Sequence, residues 1–312
     1  MPKEFTHWVV AAEAMGLAAE RGVFSPASPR ERAAVLFGAV APDLLFYYLA
    51  GSAAGEFRRA SRALHGDGGA DSLAPLRLRP DDPCADRVWS EPFAFGWLSH
   101  VAADVSFHPL VWYSAGPSLA DHFAFESALD LHFMARGEGR SDRERLPIRL
   151  RELKAALAED WPDFALFVDD FIFSGAPHER GEFGRCLGRA LAIQALFHSP
   201  AAGLAAGLLS RFVPGLRPFV SAFYSPRFRR LAAAFGGRLD YRHPVSGEES
   251  SATVDELVGQ AARRTLELWE ARAKLTLPVP GPSLDSGLPA DHDQTRRFAL
   301  AGGLEKFFER RS

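Results

Sequence analysis

Residues 97–133 read WLSHVAADVSFHPLVWYSAGPSLADHFAFESALDLHF, and the organisation of the whole chain follows from how this stretch folds. On an α-helix, positions four apart differ by about 40° in azimuth and lie about 6 Å apart along the axis. His100 and Asp104 therefore face the same way and can grip one metal ion. His108 continues that face but lies about 12 Å from His100 along the axis, too far to share the ion comfortably. It is predicted to serve a second ion. Pro109 is placed to bend the helix, and the pattern is lost by Tyr113, where Ser114-Ala115-Gly116-Pro117 supplies breaker and turn residues. The pattern resumes near Leu119, and so short a connection makes the two helices antiparallel neighbours. His108 and His122 lie at almost equal distances from the turn and should meet at one level. With Glu126, four residues beyond His122, they form a second three-ligand set, open at a fourth position as catalytic zinc sites are.

The chain of 312 residues is long enough for one large domain or two modest ones, and 47% hydrophobic with 24% charged residues is ordinary for a folded protein. A net charge of −3 gives no sign of a nucleic-acid surface. Only Cys84 and Cys186 occur, with no CxxC pair, which fits a reducing compartment and rules out a thiolate zinc site. Any metal chemistry must then come from imidazole and carboxylate.

The apolar run near the N-terminus lacks a cationic leader and is interrupted by Glu13, so it reads as a helix from about Thr6 rather than a signal peptide. Residues 34–51 are nearly long enough to span a bilayer, but Pro42 and Asp43 sit at the centre, which indicates a buried helix with a functional break. No transmembrane segment is predicted, and a cytoplasmic location is expected. A helical pattern leads to His65, and a Gly-, Pro- and Asp-rich loop follows it. After the central hairpin, helices are predicted at about 146–159, 163–172 and 181–197, then a broken apolar region with Pro214, Pro218 and Pro226. Thr253 and Glu256 form a capping box opening a helix to about Lys274. Pro278, Pro280 and Pro282 mark a linker, and 294–311 is predicted as a last helix. No strong period-two strand and no internal repeat appear, so the class is all-α. The expected organisation is a zinc-binding helical core over 1–200 and a helical extension over 201–312 packed on it, or one continuous domain.

At this point the chain resembles the zinc-dependent phospholipase C family, whose all-helical trinuclear-zinc fold is shared with single-strand-specific nucleases. The motifs that carry the resemblance are His7 in THW, Asp43 in APD, His65 in LHGD, His100 with Asp104, then His108, and His122 with Glu126. Three residues separate Asp104 from His108, where the best-known secreted members have five. The resemblance implies two to three zinc ions. Asp43, His65, His100 and Asp104 would hold one, and His108, His122 and Glu126 a second. Asp104 would bridge to a third at His7. In secreted members a free N-terminal amine completes that third site; here loss of Met1 would leave the amine of Pro2 to join His7 and Asp104. Asp43 also stands on its own chemistry, because a lone carboxylate in so apolar a stretch is costly without a cation.

Three zinc ions against Asp43, Asp104 and Glu126 leave an excess of roughly three positive charges, which favours a phosphate ester over a neutral peptide. The implied reaction is attack by a metal-activated water on phosphorus, with Asp43 orienting or deprotonating the water. The expected partner is a small phosphate ester or a phospholipid headgroup, with no stable nucleic-acid partner. The positions that enclose choline in secreted members are Leu44 and Arg62 here, so a quaternary-ammonium cage is not supported, while Phe46, Tyr47 and Tyr48 read as core. Asp130 falls on the His122–Glu126 stripe as support behind the ligands. His132 should face away, and His178, His198, His243 and His292 read as structural or surface residues. Two other readings stay open: a single-strand nuclease on the same fold, and a non-catalytic, metal-stabilised binding protein.

Overall fold

The computed structural model describes residues 4–48, 51, 53–77, 88–137, 146–173 and 182–309. Its helices in chain order are α1 (Glu4–Glu20), α2 (Pro29–Gly38), α3 (Ala41–Leu44), α4 (Ala54–Leu64), α5 (Ser90–Ala115), α6 (Leu119–Gly137), α7 (Leu150–Ala156), α8 (Trp161–Phe173), α9 (Glu182–Phe197), α10 (Pro200–Leu209), α11 (Arg217–Ser221), α12 (Pro226–Leu231), α13 (Val254–Ala273) and α14 (Gly303–Glu309). The fold is all-α, with one small antiparallel hairpin, β1 (Leu239–Arg242) and β2 (Glu249–Ala252), paired Leu239 to Ala252 through Arg242 to Glu249. Four-residue strands are too short to show a period-two pattern, which is why the sequence reading missed them.

The axis of the molecule is α5. It is buried at nearly every position, as a helix that is apolar all round must be. It runs unbroken through Pro109 and ends at Gly116. Flanking it are α2 and α13, with α1 and α6 completing the layer around it. The crossing with α2 is unusually close, because a methyl group on Gly96 would lie 1.9 Å from the Val35 carbonyl oxygen and one on Gly38 2.2 Å from that of Phe93. On the far side Phe93, Phe164, Phe167 and Phe171 interlock edge to face, tying α8 to α5. The capping box at Thr253 forms as expected and starts α13.

The break in 34–51 falls at Ala39–Val40, between α2 and α3. Pro42 then occupies the first turn of α3, where its missing N–H costs nothing, and Asp43 follows it into the interior.

Two expectations about the C-terminal part need correction. The Pro-rich stretch at 278–282 is no free linker: the Gly281 amide donates to Asp71, Ser72 Oγ donates to the Pro282 carbonyl, and the Leu284 amide donates to the His65 carbonyl. The last helix spans only Gly303–Glu309. Upstream, the amides of Arg297 and Phe298 donate to the Pro244 carbonyl and that of Leu300 to Tyr113, so they are not available for helical i→i−4 bonds.

Candidate metal centre

Five imidazoles and three carboxylates from α1, α3, α4, α5 and α6 meet behind one wall of a cavity of about 860 Å³. On α5, His100, Asp104 and His108 fall on one stripe, with His100 Nε2 3.4 Å from Asp104 Oδ2 and His108 Nε2 3.9 Å from Asp104 Oδ1. The α5–α6 turn folds back as the spacing required and brings His108 Nε2 to 3.7 Å and His122 Nε2 to 2.7 Å from Glu126 Oε1. His65, the C-cap of α4, points its Nε2 at Asp43 Oδ1 at 3.0 Å and lies 3.8 Å from Asp104 Oδ2. From α1, His7 Nε2 reaches Asp104 Oδ1 at 3.5 Å and Asp43 Oδ2 at 3.7 Å, its ring stacked on that of His100 at 4.3 Å.

Each of three triads has its ligand atoms within 4.8 Å of one another: His7 with Asp43 and His100, His65 with His100 and Asp104, and His108 with His122 and Glu126. The third is the set the helical spacing predicted. In the other two, His100 is shared, and Asp43 lies between His65 and His7 rather than beside His65 alone. Pro2 lies outside the described residues.

The ring tautomers are fixed by backbone acceptors. A carbonyl oxygen can only accept, so Nδ1–H of His100 donates to Ala39 at 3.0 Å, that of His65 to Ser61 at 2.7 Å, and that of His108 to Leu284 at 2.8 Å. Each turns its Nε2 toward the cluster, where it can bind a cation once it carries no proton, the arrangement in which a metal-binding histidine is held from behind. Both Asp104 oxygens, Nε2 of His100 and His108, and both ring nitrogens of His7 are buried with no hydrogen-bond partner among the described residues. Such a carboxylate in the interior needs a compensating cation. Within the triads, separations of 3.4 Å for His100–Asp104 and 3.7 Å for His7–Asp43 and His108–Glu126 are near the edge of a tetrahedral zinc site, about 3.3 Å for bonds of about 2.0 Å, with His122–Glu126 closer at 2.7 Å. The donor set fits zinc.

Electrostatics differ within the cluster. Burial, reinforced by neighbouring His100, lowers the His7 pKa to about 3, so this ring stays neutral. Burial would also depress His108, but the Asp104 charge and Glu126 outweigh it and raise the pKa to about 9. Burial works against ionisation of Asp43 and Glu126, yet His100 and His65 hold Asp43 down to about 2, and chiefly His122 holds Glu126 down to about 2. All the carboxylates are therefore ionised and ready to bind a cation.

Asp130, on the His122–Glu126 stripe, supports the site through α1. It lies fully buried beneath the start of α1, accepting from the Phe5 and Thr6 amides at 3.1 and 2.8 Å, from Thr6 Oγ1 at 2.6 Å and from Tyr224 Oη at 2.8 Å. A carboxylate on those first amides satisfies helix donors and complements the helix dipole, and it fixes His7 one residue further on.

The cavity is lined by His65, His108 and His122, with Phe46, Arg62, Trp112 and Phe123 around them. Tyr47 and Tyr48 are core residues as expected, whereas Phe46 reaches the cavity; Leu44 is buried. His132 donates to the Ala232 carbonyl, away from the cluster. The sequence reading missed the segment carrying Leu284, Asp285 and Arg296. Asp285 accepts from Trp112 Nε1 at 3.1 Å and pairs with Arg296, whose guanidinium lies 3.5 Å above the Trp112 ring. His243 holds the same segment at the Ser286 carbonyl, and His292, read as structural or surface, sits on the cavity rim. Turn residues such as Ser, Gly and Pro around Asp285 carry no local signal of a site.

No curated protein and no solved structure matches the chain significantly. A family model does match, over residues 6–180, and that span contains all eight clustered residues and more than half of the chain. Buried donors of zinc-binding type, gathered by the helices that the model covers, are what such a family requires: the chain belongs to the zinc-dependent phospholipase C family.

Proposed function

We propose that the chain is a phospholipase C-like hydrolase of phosphodiesters. The observation that carries this reading is that two of the three donor sets reach the wall of a cavity large enough for a headgroup-sized ester, through His65 and through His108 with His122, and the third lies directly behind them. His7, Asp43, His65, His100 and Asp104 would hold the ions at one end, and His108, His122 and Glu126 an ion at the other. Bound zinc would supply Lewis acidity, lowering the pKa of water and drawing off charge at phosphorus. The protein's own groups do the positioning. With its pKa near 2, Asp43 is a weak base but a firm hydrogen-bond acceptor, so its role is to orient the attacking water rather than to store its proton. Asp104, within 4 Å of four imidazoles, fixes the spacing between the two ends. Arg62, paired with Asp67 at 3.0 Å on the cavity rim, offers a cation to the non-reacting part of the substrate. Because Arg296 covers the Trp112 face, that ring is not free to enclose a quaternary ammonium.

Asp43→Asn keeps the size and loses the charge. Turnover of the best substrate in a panel of phosphate mono- and diesters should fall by about a hundredfold or more, with a small change in melting temperature. Full activity in this variant would remove Asp43 from the reaction. The nuclease reading draws on Phe46 and Phe123, two rings in the cavity wall that could stack on bases. Faster cleavage of single-stranded DNA than of any lipid-like ester would favour it. Zinc binding without any hydrolysis would leave the binding-protein reading.

A further inference from the structure

The region from α9 to β1 carries an unused chemistry. Between Glu182 and Asp240 the sequence contains no acidic residue and eight arginines, in a chain whose net charge is −3. Within it, α10 is apolar on every side and yet has no buried residue. Its inner side, Ala202, Gly203 and Ala206, rests on the core through small groups, Gly203 against Phe223. Its outer stripe, Ala201, Leu204, Ala205 and Leu208, faces solvent at helical spacing, and Leu209, Phe212 and Val213 extend it. Leu204 is 72% exposed and Phe212 82%. A helix apolar all round belongs inside something, and contiguous exposed apolar surface of this kind marks a contact.

We propose that α10 and the turn after it form a docking surface for a bilayer containing anionic phospholipid. Exposed Arg211 and Arg217 bracket the apolar tip, with exposed Arg229 beyond them, so the surface offers cations beside greasy side chains. That combination suits an anionic lipid interface. A second copy of the chain fits less well, since face-to-face packing would bring like-charged arginine clusters together. The surface is placed on the membrane rather than across it: no single described helix is long and apolar enough to cross, and although α9 and α10 together are, they bend by 87° at their junction and α9 is packed into the core through Phe183, Cys186, Leu187 and Ala190. Ten residues of α10 extend about 15 Å, half a hydrocarbon core. The patch is also linked to the site. Following α10, α11 packs on α6, where Ser127 Oγ donates to the Ser221 carbonyl at 2.8 Å, one turn beyond the cavity residue Phe123.

The test is co-sedimentation of the full chain with vesicles of phosphatidylcholine alone and of phosphatidylcholine mixed with phosphatidylglycerol. The wild type should pellet with the mixed vesicles and much less with the neutral ones. The triple variant Leu204→Ser, Leu208→Ser, Phe212→Ser should bind the mixed vesicles at least about tenfold more weakly. Arg211→Gln with Arg217→Gln should lose about fivefold per arginine and leave a remainder much less sensitive to salt. All these residues are exposed, so unchanged melting temperatures and zinc content are expected and separate docking from folding. The readout is binding, so it stands whether or not the chain hydrolyses phosphodiesters. The proposal is overturned if the wild type ignores anionic vesicles, if the triple variant binds like wild type, or if the wild type is a dimer that the triple variant converts to monomer.

Discussion

The two ends of the ligand cluster are built in different ways. His108, His122 and Glu126 come from one helical hairpin, 19 residues from first to last, and their meeting depends on one turn at Gly116-Pro117. His7, Asp43, His65, His100 and Asp104 come from four helices and converge only when α1, α3 and α4 have all docked on α5. The hairpin end is a local product of the sequence, and the other end is a product of the tertiary fold. Metal binding should therefore be coupled to global folding most strongly at the second.

Chelation gives the largest effect. Each ion bound at a hundredfold excess over its Kd contributes about 3 kcal/mol of stability, so stripping two or three should lower the melting temperature by many degrees and abolish hydrolysis. An unchanged melting curve after chelation would remove the metal from both ends. Next comes a paired substitution. Asp104→Asn touches both ends and should release more than one ion and reduce rate more than about a hundredfold. Glu126→Gln touches the hairpin end alone and should release one, as metal analysis of the purified variants would reveal. Equal stoichiometries in the two variants would erase the distinction between the ends.

A smaller effect isolates the assembled end without altering a ligand. Asp130→Asn weakens the grip on the Phe5 and Thr6 amides, at a cost of about 1–3 kcal/mol. It should reduce occupancy at His7 while leaving the hairpin ion in place. Loss of metal from the hairpin end as well would mean that α1 governs more than its own site.

The smallest effect concerns protons. His108, at about 9, is protonated in the metal-free chain at neutral pH, whereas His7, at about 3, is not. The raised His108 pKa stabilises the metal-free fold fully below its ordinary value of about 6.5, and that contribution disappears as pH rises through about 9. Zinc must displace this proton, so binding at the hairpin end should strengthen across that window and release about one proton from His108, whereas the His7 ring has none to release. Calorimetry in buffers of different ionisation enthalpy measures the count.

The same contrast explains what could be read from the chain. Four-residue spacing on α5 and α6 placed Asp104, His108, His122 and Glu126 directly, because a helix is a ruler. His7, Asp43 and His65 carry no spacing relation to one another; His7 and His65 entered only through their order along a family pattern, and Asp43 through that order and its place in an apolar run. Leu284 was beyond reach, since it contributes a backbone carbonyl and any residue type would serve. The partners of Asp130 were out of reach for a related reason: its stripe on α6 suggested support for the ligands, but the Phe5 and Thr6 amides that it holds lie about 125 positions away in sequence. The exposed stripe on α10 escaped notice because an apolar sequence does not say whether it faces inward.

The crossing of α2 over α5 has a consequence that is electronic rather than steric. With no side chains at Gly38 and Gly96, the two backbones approach until the Ala39 carbonyl touches the His100 ring. That contact decides which ring nitrogen carries hydrogen and makes the other more electron-rich, and hence a stronger donor to a cation. Two absent methyl groups thus tune the basicity of an imidazole in the next turn of the helix. Adding one back at position 96 would lever α2 away and let the ring choose its tautomer, changing the affinity of the site without changing any residue in it.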